Sequence, residues 1–164
     1  MEGLTGDYMS KPRYGWWGYI KYVIRDYPYL RERYNLLHEQ SVTANTSGMP
    51  GSGGGISRGV ESIAIKELPK PNQLEYDAVR RAVAVTERMR TGNDRLHLID
   101  LVFWKQSHTL GGAAVASNIS YDTAVGYHRD FIMLVAFFRE MVPYEELSDF
   151  QKFTLKSHKD VVKS

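Results

Sequence analysis

Cysteine is absent from this 164-residue chain, which excludes disulfides and thiolate metal sites and fits a reducing compartment. Long apolar runs are absent as well. None approaches the roughly 18 residues of a membrane span, and the first residues carry no apolar signal-peptide core. The expectation is a soluble intracellular protein with no membrane partner. No stretch alternates apolar and polar residues as a half-buried strand does, and no segment repeats. Excess charge is scarce: 21 Lys and Arg stand against 19 Asp and Glu, a net charge of +2. Composition alone therefore demands no nucleic-acid partner. What is present is a hydrophobic fraction of 43%, enough for a packed core and too much for a disordered chain.

The periodicities read as all-α: N-terminal helices, a flexible Gly/Ser linker, and a C-terminal helical domain. Residues 1–40 form an aromatic-rich segment. Trp17, Ile20, Val23, Ile24 and Tyr27 keep helical spacing, and Pro28 should end or kink that helix. A second piece is expected from Pro28 to about Glu39, with proline at a first-turn position. Lys11, Arg13, Lys21, Arg25, Arg31 and Arg33 make the segment basic. Its aromatics could stack on bases, but they follow the apolar helical positions, which favours a core-facing stripe. Residues 41–59 are Gly/Ser-rich and read as a linker. Their Gly-Ser-Gly-Gly-Gly lacks the Gly-Lys-Ser/Thr ending of a phosphate-binding loop and no strand precedes it.

Residues 60–142 read as a helical domain and 143–164 as an amphipathic tail. Helices are expected over Ser57–Leu68, stopped by Pro69 and Pro71, and over Asn72–Arg90. Asp94 reads as the N-cap of a helix running to Trp104. A last amphipathic stretch, Tyr144–His158, carries Leu147, Phe150, Phe153 and Leu155.

Residues 109–138 carry most of the functional information. A short helix, a tight turn and a longer helix are expected, the arrangement in which one helix enters the DNA major groove and the other braces it. Ala114 sits where the helices would cross, and its small side chain permits close approach. Asn118 suits a left-handed turn position, Ile119 plugs the space beneath it, and Ser120 caps the second helix. Ala124, Tyr127, Phe131 and Leu134 recur on one face, and Pro143 marks an end near Met141. The same pattern also fits a helical hairpin inside an all-α core that never meets DNA.

Leu98-Ile99-Asp100-Leu101-Val102-Phe103-Trp104-Lys105, then Ser107-His108-Thr109-Leu110, Ala113-Ala114 and Ile119-Ser120-Tyr121-Asp122-Thr123-Ala124 resemble the RinA/ArpU-type late transcription regulators of phages of Gram-positive bacteria. Their C-terminal unit is similar to the promoter-reading helix-turn-helix of sigma-70-type factors (region 4). The likeness spans roughly residues 94–138, and the spacer that begins Ser-Gly-Met-Pro also resembles theirs. The resemblance implies a DNA-binding activator of late genes in the cytoplasm of a bacterial host cell. Its partners would be double-stranded DNA and host RNA polymerase, and the charge deficit of the unit adds an expected association with further copies of the chain. Carried over, Ser120 and Thr123 would contact phosphates. Tyr121, Asp122, Val125, Gly126 and Arg129 would face the groove, and His128 would support a phosphate contact on the flank. Arg129 suits a bidentate bond to guanine, and Asp122 can accept from cytosine N4. Gly126 either admits a base pair closely or is a tolerated surface glycine.

Between Asp94 and Glu140, Arg95, Lys105, Arg129 and Arg139 face Asp94, Asp100, Asp122, Asp130 and Glu140. Affinity for DNA comes largely from phosphate neutralisation, so this unit needs charge from elsewhere. The Arg80, Arg81, Arg88, Arg90 helix, the basic N-terminal segment, a second subunit or polymerase could supply it. None of the five histidines has metal-ligand spacing, and no nucleophile has a base beside it in a known motif. No enzyme activity, cofactor or metal is expected. A phage small terminase subunit that binds packaging-site DNA is an alternative, although such proteins usually place the helix-turn-helix first. A helical interaction module without nucleic acid is another.

Overall fold

The computed structural model describes residues 14–46 and 68–157, with residues 41–46 described by backbone alone. The order is α1 (Trp17–Thr46), α2 (Lys70–Glu87), α3 (Gly92–Ile99), a π-helical turn (Asp100–Trp104), α4 (Leu110–Ala116), α5 (Tyr121–Phe138), a 3₁₀ turn (Tyr144–Glu146) and α6 (Asp149–Ser157). The protein is all-helical, and no strand occurs among the described residues. No described helix is long and apolar enough to cross a membrane. The linker from residue 47 onward and the helix expected over Ser57–Leu68 lie outside the described residues, except for Leu68, which is buried.

The proline did not divide the first helix. α1 runs unbroken through Pro28 to Thr46, six residues into the expected linker. The apolar register explains why: Trp17, Ile20, Val23, Ile24, Tyr27, Leu30 and Tyr34 are all buried, so one continuous stripe packs on the core across the proline. Proline cannot donate to the carbonyl four residues before it, which leaves the Ile24 oxygen without its helical partner. The indole Nε1 of Trp104 donates to that oxygen at 3.0 Å. The bond lost inside α1 is replaced by one from the far half of the chain.

The N-terminal aromatic helix, expected as a segment of its own, shares one core with the rest. Its buried residues cluster with Tyr76 and Val79 of α2, Phe103 of the π turn, Phe131 to Ala136 of α5, and Leu147 and Leu155 of the tail. Tyr76 lies between Tyr34, with ring centroids 5.0 Å apart, and Tyr27, at 5.7 Å.

Three other expectations are corrected. Asp94 is not a cap: α3 starts two residues earlier, with Thr91 at the N-cap position and Asp94 in the first turn. The Thr91 hydroxyl accepts from Arg95 Nε at 2.9 Å instead of capping. α5 ends at Phe138 rather than near Met141. Glu140 takes a left-handed φ of 61°, and the Met141 and Glu140 N–H groups close on the Ala136 and Phe137 carbonyls, a Schellman stop that a non-glycine residue fills at some cost. In the tail, Leu147 and Leu155 are buried, but Phe150 and Phe153 are 45% and 70% exposed. The amphipathic stripe there is one residue pair narrower than its apolar spacing suggested.

Candidate nucleic-acid interface

The turn between α4 and α5 is built from local chemistry. The Thr109 hydroxyl accepts from the Gly112 N–H at the start of α4. At its end Asn118 adopts φ 54°. The Ile119 N–H then reaches the Ala114 carbonyl at 3.0 Å and the Asn118 N–H the Val115 carbonyl at 3.1 Å, the paired bonds of a Schellman motif. Ser120 follows in extended conformation, and its Oγ accepts from the Thr123 N–H at 3.1 Å. A 2.8 Å bond between the Ser120 and Thr123 hydroxyls closes the cap.

Beneath the turn lies a small separate cluster of Leu98, Leu101, Ala113, Ala114 and Ala124, with Leu110, Ile119 and Tyr127 packed against it. α3 and the π turn therefore each bring one leucine to the alanines of α4 and α5. Leu101 also collects the chain after the π turn, since its carbonyl accepts from Ser107 and His108 N–H groups at 3.1 and 3.4 Å.

Arg95 ties this unit to the tail. Its Nη1 bonds Asp130 at 2.8 Å. Its guanidinium lies 4.3 Å from the Tyr127 ring centroid and 5.1 Å from that of Phe150. The buried Gln151 of α6 donates to the Asp130 carbonyl at 2.8 Å. Nothing in the spacing of Arg95 and Asp130, 35 residues apart, announces this link.

Of the anticipated contact residues, Ser120, Asp122 and Arg129 are exposed, and Tyr121 is 49% exposed. Thr123, Val125 and Gly126 are half-buried. The opposite side of α5, with Ala124, Phe131 and Leu134, is buried. A Cβ added at Gly126 would meet nothing, so the helix backbone is open there. Arg95 and Lys105 are engaged by Asp130 and Asp100, whereas Arg129 has no ion pair among the described residues.

His128 is the exception. It is 8% exposed, so it cannot serve as a phosphate contact in this conformation. Its ring stacks on Phe103 at 5.2 Å with a 9° tilt, and Trp17 stands 6.3 Å away. Burial first, and then the charges of Lys21 and Arg25, lower its pKa from 6.5 to about 4. It is a neutral core residue at ordinary pH. Its polar side chain gave no sign of this, because Phe103 and Trp17 lie on other elements.

Among the described residues no group of three or more His, Asp or Glu side chains could hold a metal ion. No family model matches the chain, and no curated protein and no solved structure matches it.

Proposed function

We propose that the chain is a sequence-specific DNA-binding transcriptional regulator of the RinA/ArpU late-gene type, reading promoter DNA with α5. The observation that carries this reading is Arg129: exposed, without an ion partner among the described residues, and one turn from the open backbone at Gly126. A lone guanidinium held on a rigid helix suits the O6 and N7 acceptors of guanine. Ser120 and Thr123 at the helix start would position the duplex through phosphates, while Tyr121, Asp122 and Val125 would border the bases. His128 has no part in the contact.

The exposed apolar residues favour a second reading, a helical module that binds protein. Val115 is 82% exposed, and it lies one turn from Gly111, where an added Cβ would come within 3.9 Å of the Tyr121 ring.

Selection of duplexes from a random library by the full chain separates the two. The regulator reading expects an enriched consensus. Arg129→Ala should then lower binding to it by about 1–3 kcal/mol and relax preference at one position. Failure to enrich any duplex would discard the regulator reading in favour of the protein-binding module.

A further inference from the structure

The DNA-reading unit is short of positive charge, and the fold brings some to its edge. Lys21 and Arg25 are one turn apart on α1. Arg25 is exposed, and its guanidinium lies 5.9 Å from the centroid of the Phe103 ring. That ring stacks on His128 of α5, and Trp17, one turn before Lys21, flanks the same histidine. Trp17, Lys21 and Arg25 thus run along α1 beside the point where α5 carries His128 and, next to it, Arg129. Burial, and then the charges of Lys21 and Arg25, disfavour the protonated form of the His128 ring.

Two glycines keep this edge low. Gly18 shares a helical face with Lys21 and Arg25, and Gly126 shares one with Arg129. A Cβ at either would meet nothing within 4 Å. Arg95 and Lys105, also near the turn, face carboxylates at 2.8 and 2.9 Å.

We propose that Lys21 and Arg25 form, beside the groove-reading Arg129, a phosphate-binding flank along which the backbone of double-stranded DNA lies while α5 occupies the groove. This rests on the DNA-binding reading above. In it the N-terminal helix supplies the sequence-independent part of the affinity and α5 the sequence-dependent part. Cations that neutralise phosphates release counterions, so each contact steepens the fall of affinity with salt.

The test uses the full chain with Lys21→Gln and Arg25→Gln together. Binding is measured to the duplex selected by the native protein and to a scrambled duplex, over a salt series. The slope of log affinity against log salt should become shallower by about two. Affinity should fall alike for both duplexes, and the selected consensus should not change. Arg25→Lys should retain the native slope. An unchanged slope overturns the proposal even if affinity falls, because partial misfolding removes active protein without altering the slope. In that case the DNA-binding reading survives. If the native chain binds no duplex at all, both fall together.

Discussion

Two clusters of buried side chains divide the work of this fold, and they follow opposite plans. The larger is aromatic: Trp17, Tyr27, Tyr34, Tyr76, Phe103 and Phe131 meet across three long helices and the π turn. The smaller, under the turn at Asn118, holds two leucines and three alanines. In the first, stability comes from the area that large rings remove from water. In the second little area is available, and position is set by how closely backbones approach and by the bonds that end one helix and begin the next. The large cluster should suffer when atoms are taken away, and the small one when atoms are added.

The largest expected effect is at Phe103, fully buried and stacked on His128. Phe103→Ala should cost about 3–5 kcal/mol in urea unfolding. A cost below about 1 kcal/mol would mean that the aromatic cluster relaxes freely and the contrast is empty. Next comes acid. The folded protein keeps His128 near a pKa of about 4, against 6.5 when the residue is free in solution. Between those values the unfolded chain binds a proton that the folded chain does not. This share of stability is intact above pH 6.5 and declines as pH falls toward 4, by on the order of 3 kcal/mol. Replacing His128 with Phe should flatten that portion of the pH profile relative to the native chain. Parallel profiles would move the acid sensitivity elsewhere. The smallest effect is expected in the alanine cluster: Ala114→Leu should destabilise by about 1–3 kcal/mol through overpacking. If unfolding midpoints stayed level, α4 and α5 would not be held by close approach.

The same contrast governs what could be read from residues alone. The turn was legible because its determinants are adjacent: Asn118 takes the left-handed position, Ile119 enters the cluster, and Ser120 caps α5. The open side of α5, with Asp122 and Arg129, followed from the same helical register. Pro28 misled because the Ile24 carbonyl that it leaves unpaired is bonded by the Trp104 indole, from a distant part of the chain. His128 misled because Trp17 and Phe103, rather than its own neighbours on α5, enclose it. The spacing of Phe150 places it in an apolar stripe, yet its ring lies beside the Arg95 guanidinium at partial exposure. Only an assembled tail could reveal that.

The bond from Trp104 to the Ile24 carbonyl spans 80 positions of chain. A helix whose own ladder has a missing rung at Pro28 is finished only by a residue synthesised much later, so α1 gains its full set of bonds only after the π turn has docked. The polymer between them must close a long loop before that reward arrives. Fragments cut between α1 and α2 would therefore damage both pieces: one keeps an unanswered carbonyl, the other an indole with nothing to hold.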